Sequence, residues 1–549
     1  MERYIQHLIA GAEQRTANFL AMQVKDKQDL QYGGLRSNVW EAKPTIYALA
    51  AAVAVWLNPD SRYHKDPALY DAICLALDFV ARTQREDGSF DYPTCNFHPA
   101  PDTSFCFKRL FATHRILVKY DDGSQQIAGL RQRYLALMHK ALPAIRDGGF
   151  HTPNHRWGIA AALLQGANLF ADEADFARSL RDRAGQYLAE GIDGDEDGEY
   201  AERSTGNYNA VVNNAMMAMY QATGDDKFLG YVRRNLSMML TYIDPDGTVF
   251  TQNSTRQDQG KLEYADKYFY QYLYMCSHEE NEVFDAAAQR IIRDNMTRGD
   301  IAPDCLHIIM AHDEMLHHHF THCGFPAQYR KFFHHAGVLR VQNPQYTYTV
   351  LNGKSAFLYF KSGSTMIYLK IGESYCDIRN FIPQTIEVGE GRCTLKATAK
   401  GWYYLPFQEP PATSDWWQMD HASRDKLISS QLTITLDIVE QPDGLDLHLK
   451  TEGLDRLPLR VEFCVPADTV LDHPAFNIRA QAGSGLILRD GTLTVRDGAK
   501  HITIGPGFGE HEFQGHYSGE EVNTAGFTVY CNAYTPTERK LSIRVNHDA

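Results

Sequence analysis

The sequence has no excess of positive charge. Its 54 Lys and Arg stand against 68 Asp and Glu, a formal net charge of −14, and the basic residues gather into no stripe. Nucleic-acid binding needs such a stripe, so nucleic acid is not an expected partner. No apolar run approaches the roughly 18 uninterrupted residues of a membrane span, so no membrane partner is expected either. The ten cysteines are scattered without a C-x-x-C pair. That spacing argues against a disulfide framework or a cysteine zinc site and for reduced thiols. The first twenty residues, MERYIQHLIAGAEQRTANFL, carry Glu2, Arg3 and Glu13 and lack the basic start, continuous apolar core and cleavage site of a secretory signal. A cytoplasmic address is the expectation.

What is present is a long, ordinary globular composition: 549 residues, 44% hydrophobic and 11% aromatic, too many for one core and enough for two large domains. Gly-containing turns followed by an apolar or aromatic residue recur along the first part. They are Gly33-Gly34-Leu35, Asp87-Gly88-Ser89-Phe90, Gly148-Gly149-Phe150, Asp197-Gly198-Glu199-Tyr200 and Asp246-Gly247-Thr248-Val249-Phe250. Between them TIYALAAAVAVWL, YDAICLALDFVART, WGIAAALLQGANLF and NAVVNNAMMAMYQATG carry apolar residues at helical spacing or around the whole helix. A period of about fifty residues that alternates an outer amphipathic helix with an inner apolar one predicts an (α/α) toroid of helical hairpins, with an open helical solenoid as the alternative.

Near residue 335 the pattern changes to a period of two. TYTVLNGKSAFLYF, STMIYLKIG, QLTITLDIV, LDLHLKTEG, LRVEFCV and GFTVYCNAY alternate between Gly, Asp and Pro turns, which predicts a C-terminal antiparallel β-sandwich. The expected domains are residues 1–333 and 334–549. One insertion, GWYYLPFQEPPATSDWWQMDH, interrupts the strand rhythm with six aromatics, Trp402, Tyr403, Tyr404, Phe407, Trp416 and Trp417. It reads either as a sugar-stacking lid, with Tyr403 and Trp416 touching substrate, or as a plug between domains.

In a toroid the equivalent turns emerge at one end, so polar residues just after each turn should share a cleft. The first turn is followed by Arg36, Asn38 and Trp40, the second by His98, Asp102, Thr103 and Ser104, the third by His151, Asn154, His155 and Trp157. After the fourth come Glu202, Arg203, Asn207, Tyr208 and Asn209, and after the fifth Gln252, Asn253, Arg256 and Gln257. Any one of these alone is more often a helix cap, a satisfied buried group or a solvated side chain; their common phase is what favours a shared site. Amide, imidazole, guanidinium and phenol groups suit β-elimination from a uronic acid. The C5 proton becomes acidic only when donors neutralise the adjacent carboxylate, after which a Tyr or His removes it and a Tyr or His protonates the departing oxygen. No cofactor is required. A glycoside hydrolase would use two carboxyl groups, for which Asp102 and Glu202 are the candidates, and a glycan-binding protein would need the tryptophans but not Tyr208.

Two stretches carry a likeness to a known group. Pro153-Asn154-His155 resembles the Asn-His element, and DGEYAERSTGNYNAVVNN at 197–214 is similar to the Asp-Gly, Glu-x-Ser, catalytic-Tyr pattern, of the toroid-plus-sandwich polysaccharide lyases, which include heparinase II/III-like, oligoalginate and chondroitin lyases. The resemblance implies that Asn154 binds the substrate carboxylate, that His155 assists or acts as base, and that Tyr208 is the general acid or both acid and base. It further implies cleavage of a uronate-containing oligosaccharide or polysaccharide. The shared phase of the turns and the aromatic insertion make Asn38, Trp40, His98, Asp102, Trp157, Glu202, Arg203, Asn207, Asn209, Arg256, Tyr403 and Trp416 the expected substrate contacts, and a reaction that runs on side chains alone is expected to be metal-independent. The chain departs from the pattern at Asn209, where many such enzymes have His, and lacks their His-x-His-x-Asp element, which leaves His312, His317, His318, His319, His322, His334, His335, Tyr403, Tyr404 and His421 open for a second catalytic group. Asp193-x-Asp195-x-Asp197-Gly198 resembles the opening of a calcium loop, but Ser204 stands where the bidentate Glu belongs, so a solvated acidic turn is expected there, with structural calcium the alternative. The His317-His318-His319 run has no carboxylate at a ligand spacing and is expected to be structural or cleft-lining.

Overall fold

The computed structural model describes residues 3–321, 324–497, 500–515 and 520–547. His322 therefore lies outside the described residues. The chain forms two compact units, Met1–Pro326 and Ala327–Ala549. The second begins ahead of residue 334, because its first strand, Tyr329–Phe333, precedes the His334-His335 pair.

The first unit is built from α1 (Arg3–Met22), α2 (Lys43–Leu57), α3 (Pro67–Thr83), α4 (Ala100–Lys119), α5 (Gln125–Asp147), α6 (Pro153–Leu169), α7 (Ala174–Ala189), α8 (Tyr208–Thr223), α9 (Lys227–Met239), α10 (Phe269–His278), α11 (Glu282–Arg298) and two short turns, α12 (Leu306–Ile309) and α13 (Asp313–Leu316). Even-numbered helices form the inner ring. α2 packs on α4, α4 on α6 and α6 on α8, while α12 returns to α2 and α4, and α11 to α1, so the ring closes. The sequence explains which helix goes where. Ala50 to Leu57 of α2 and Ile159 to Leu163 of α6 are buried on every side, whereas α3 buries one stripe, Leu69, Ala72, Ile73, Ala76, Leu77 and Val80. Proline stands in the first turn of α2, α4 and α6, where its missing N–H costs nothing, and fixes where the inner helices begin.

The glycine turns hold the repeats together. Gly33, Gly88 and Gly198 have φ of +89°, +92° and +94°, and a Cβ on them would lie 2.5 Å from the Leu75 carbonyl, 1.8 Å from that of Lys140 and 2.3 Å from that of Arg234. Each turn thus presses on the outer helix that comes after it, at a distance only glycine allows. Glutamines at matching positions clamp two of these contacts: Gln23 Nε2 donates to Gly33 O and Ala72 O, and Gln84 Nε2 to Gly88 O and Leu137 O.

In the second unit one sheet runs in the order Tyr329–Phe333, Val338–Gln342, Thr347–Leu351, Leu358–Ser362, Thr365–Tyr375, Pro458–Pro466, Gly526–Tyr534 and Gly485–Ile487, with Ile378–Asn380 beside Thr365–Tyr375. The other runs Phe476–Arg479, Val470–His473, Leu493–Asp497, Lys500–Gly505, Glu538–His547, Gly444–Gly453, Lys426–Gln441, Arg392–Tyr404 and Thr385–Gly389. Pairing is antiparallel except between Gly485–Ile487 and Gly526–Tyr534. Alternate residues, such as Leu432, Ile434, Leu436 and Ile438 facing Val461, Phe463 and Val529, fill the core between the sheets. The expected break in strand rhythm begins later than the sequence indicated. Trp402, Tyr403 and Tyr404 pair with Ile428, Leu427 and Lys426 after a bulge at Gly401, so these aromatics are strand, and the chain leaves the sheet only after Tyr404.

Candidate active site

Four elements of the first unit bring the chemistry together: the starts of α4, α6 and α8 and the loop 250–264. Tyr208 is the first residue of α8, with its backbone N–H donating to Ser204 Oγ at 2.9 Å. Its hydroxyl donates to Gln257 Oε1 at 3.3 Å, and the Arg256 guanidinium lies 5.0 Å from its ring centroid. Arg256 Nε faces Glu202 Oε1 at 3.3 Å, an ion pair without the alignment of a hydrogen bond. The other Glu202 oxygen accepts from Asn154 Nδ2 at 2.7 Å. Burial raises the Glu202 carboxyl above its ordinary value, opposed by Asn154 and Arg256.

The loop is fixed by a buried carboxylate that sequence reasoning missed. Asp258 Oδ1 accepts from the Ser204 and Ser254 hydroxyls at 2.8 and 2.7 Å, and Oδ2 from the Gly206 N–H at 2.9 Å. Thr255 Oγ1 adds a bond to the Glu202 carbonyl at 2.9 Å. Arg256 and Gln257 are thereby held over Tyr208. The available signal was Asp258 alone, an acid among the polar residues after the fifth turn.

His155, in the first turn of α6, meets Phe105 edge-on at 5.9 Å and His151 at 4.9 Å between ring centroids. Burial, then His151, Arg256 and Lys43, push its pKa down to about 4 against the pull of Asp102, so the ring is neutral at pH 7. Its Nδ1 is buried with no hydrogen-bond partner among the described residues. Asp102 accepts from Lys43 Nζ at 2.9 Å and Asn96 Nδ2 at 2.8 Å. Burial works against the charge on Lys43, but Asp102 outweighs it and raises the ammonium to about 12. A lysine in the first turn of a helix opposes the helix dipole, which was a legible hint that Lys43 had a carboxylate partner.

Asn154, Glu202, Arg256 and Tyr208 form one chain of contacts, and the charges of Asp102 and Arg256 both act on His155, the residue after Asn154. The remaining candidates fall elsewhere. Trp157 is fully buried, its indole N–H donating to Asp193 Oδ1 at 2.8 Å, so it is a core residue and not a sugar contact. Asn209 is also fully buried, bonded to Glu199 Oε1 at 3.0 Å. Asn207 is the half-buried cap of α8, and Arg203 is half-buried in the turn ahead of it with φ of +47°. Asn38 is exposed on the segment before α2, and no described contact joins it to the set. Trp40 and His98 line a separate depression of about 600 Å³ with Arg82, Arg85, Asp87 and Asp91. Tyr403 and Trp416 belong to the second unit, where both are exposed and Trp416 and Tyr404 pack on His421.

The acidic turn is used internally. Asp193 accepts from Trp157 and from Arg156 Nη2 at 3.3 Å, and Asp195 Oδ1 accepts the Glu199 N–H at 2.8 Å. Of the histidine run, His318 Nε2 meets Asp285 Oδ1 at 2.5 Å and Cys276 Sγ at 3.9 Å, and Asp285 Oδ2 also accepts from the Thr321 N–H and hydroxyl at 2.7 and 2.6 Å. Cys276, Asp285 and His318 are the one grouping of three possible metal ligands among the described residues. The bonds to Asp285 account for it as a clip between α11 and the segment after it. No helix among the described residues is long and apolar enough to cross a membrane.

No protein-family model matches the sequence, and no curated protein matches it. Solved structures do match in shape. A xanthan lyase of Paenibacillus aligns with TM-score 0.58 and 9% identity over 100% of this chain, which spans 57% of that enzyme. A mutant heparan sulfate lyase of Pedobacter heparinus aligns with TM-score 0.55 and 10% identity over 98% of this chain and 84% of its own. A chondroitin AC lyase of Streptomyces coelicolor A3 aligns with TM-score 0.55 and 10% identity over 100% and 80%. The chain has the toroid-plus-sandwich fold of the polysaccharide lyases.

Proposed function

We propose that the chain is a polysaccharide lyase that cleaves a uronate-containing glycan by β-elimination. The observation that carries this reading is the set Tyr208, Arg256, Glu202 and Asn154 beside a neutral His155 at the start of the inner helices. The fold neighbours support the enzyme class and a polysaccharide substrate, since they are lyases of xanthan, heparan sulfate and chondroitin.

In this reading the substrate carboxylate meets the Arg256 guanidinium, which withdraws charge from C5 as the proton leaves. His155 accepts that proton on its neutral ring. The C5–H electrons form the C4–C5 double bond, the C4–O bond breaks, and the Tyr208 hydroxyl gives its proton to the departing oxygen. Arg256 over the Tyr208 ring stabilises the phenolate left behind, and solvent resets both groups. Asn154 takes a different part from the direct carboxylate contact that the sequence resemblance implied. It is 1% exposed and its Nδ2 is committed to Glu202, so it acts as a positioning residue one link behind Arg256.

A hydrolase reading also has one observation in its favour, the raised pKa of buried Glu202, which suits a general acid. Incubation with uronate polysaccharides separates the two. A lyase yields product with the ultraviolet absorbance of a C4–C5 double bond; new reducing ends without that absorbance would replace elimination with hydrolysis.

A further inference from the structure

The inner helices enclose a cavity of about 320 Å³, near the lower end of the range for small-ligand sites. Phe105, whose ring meets His155 edge-on, forms part of its wall. Three cations of α4 line it: Lys108, Arg109 and Arg115. Their partners differ. Arg109 pairs with Asp304 at 3.2 Å, donates to His307 Nε2 at 2.9 Å and stacks over Tyr47 at 4.4 Å. Arg115 has only neutral partners, Gln221 Oε1 at 2.9 Å and His312 Nε2 at 3.3 Å. Lys108 makes no hydrogen bond and no ion pair among the described residues and has the cavity in front of it.

No other lining group balances these charges. Burial, then Arg109, pushes His307 down to about 3, and burial followed by Arg115 lowers His312, so both rings are neutral and take no part as cations or anions. The Tyr47 and Tyr270 hydroxyls are raised by burial and stay protonated, and Tyr270 donates to Asn214. Asp304 is the one lining carboxylate, and Arg109 already holds it. Glu314 lies behind His312, bonded to its Nδ1 at 2.9 Å. Lys108 thus faces the cavity without a counter-charge, and Arg115 has only the Glu314 carboxylate, one link away through His312, to offset its own; such an arrangement costs stability unless something else repays it.

We propose that the toroid lumen binds a small oxyanion, a carboxylate or sulfate, between Lys108 and Arg115. Gln165, Asn214 and Gln221 supply amides for the remainder of such a ligand, and the volume limits it to about one sugar ring. The site is separate from the proposed elimination chemistry and does not depend on it. The ammonium of Lys108 is itself held down to about 8 by burial and by Arg109, so an anion beside it must raise its pKa and draw a proton from solvent near pH 8.

Titration calorimetry on the whole protein at pH 8, in two buffers of different ionisation heat, tests this with sodium glucuronate and sodium sulfate as probes. The expected result is saturable binding with net proton uptake, weakened tenfold or more in Lys108→Met and in Arg115→Gln, with thermal melting as the folding control. Tighter binding of glucuronate than of sulfate would assign the oxyanion to a sugar, and equal binding to a free anion. Absence of binding of either probe to the wild type at about 10 mM would overturn the proposal, as would unchanged binding in either folded variant. Should Lys108→Met fail to fold, Arg115→Gln decides alone.

Discussion

The guanidinium of Arg256 lies 5.0 Å from the ring centroid of Tyr208 while its Nε faces Glu202 at 3.3 Å. One side chain thus links the phenol proposed to move a proton with the buried carboxylate that orients Asn154. Such a guanidinium is planar and uses its face and its edge at once, which a lysine cannot do.

Tyr208→Phe removes one hydroxyl whose only described bond, to Gln257, is exposed. The expected stability cost is under about 1 kcal/mol. Turnover should fall about a hundredfold or more, the usual worth of acid or base assistance. Arg256→Lys should fall by a similar factor because the charge survives but its geometry does not. Initial rates by product absorbance, with thermal melting alongside, check both. A folded Tyr208→Phe enzyme at near wild-type rate removes Tyr208 from the mechanism.

Acid should destabilise the fold in a defined window. His155 and His114 are lowered to about 4 and His307 to about 3, in each case first by burial. Between about pH 6.5 and 4 the unfolded chain binds protons that the folded chain refuses, so stability is present above that window and is lost as pH falls through it. Denaturant midpoints taken from pH 7 to 4.5 should decline, and His155→Gln should make the decline shallower. An unchanged slope in that variant would mean His155 titrates normally in the folded protein.

The repeat predicts a contrast between two glycines. Gly88 has φ of +92° and a Cβ there would lie 1.8 Å from the Lys140 carbonyl, whereas nothing lies within 4 Å of a Cβ on Gly149. Gly88→Ala should cost about 2–4 kcal/mol from backbone strain and overpacking together. Gly149→Ala should change stability by less than about 1 kcal/mol. Equilibrium unfolding of the two variants measures the difference.

The turns and the phase of Asp102, Asn154, His155, Tyr208 and Arg256 were legible because both arise from local rules: glycine where φ must be positive, and polar residues where an inner helix begins. The features that could not be read depend on partners far along the chain. Trp157 points into the core because Asp193, 36 residues away, accepts its N–H. Asp258 matters because Ser204 and Gly206, more than fifty residues earlier, supply its donors. The aromatic strand end at Trp402 to Tyr404 was hidden by Gly401, where a Cβ would meet Cys376 Sγ at 2.5 Å and the chain shifts register. The lumen cations Lys108, Arg109 and Arg115 are spread along α4, and only ring closure shows that they line one cavity.

Glu202→Gln gives the sharpest division between the two chemistries proposed for the site. The substitution keeps an oxygen for Asn154 Nδ2, now bonded at 2.7 Å, and preserves volume, so the fold should persist. It removes the negative charge opposite Arg256, which frees the guanidinium from the one carboxylate within salt-bridge distance of it among the described residues. If Glu202 only positions Arg256 for elimination, the variant should keep making unsaturated product, with KM altered more than kcat and a rate loss of about tenfold. If Glu202 is instead the proton donor of a hydrolase, the variant should lose about a hundredfold or more in kcat, since the amide has no proton to give at that step. Following both product absorbance and reducing ends on the same samples decides the matter. Loss of kcat with product that never absorbed would sink the elimination reading, and persistence of the absorbing product would sink the hydrolytic one.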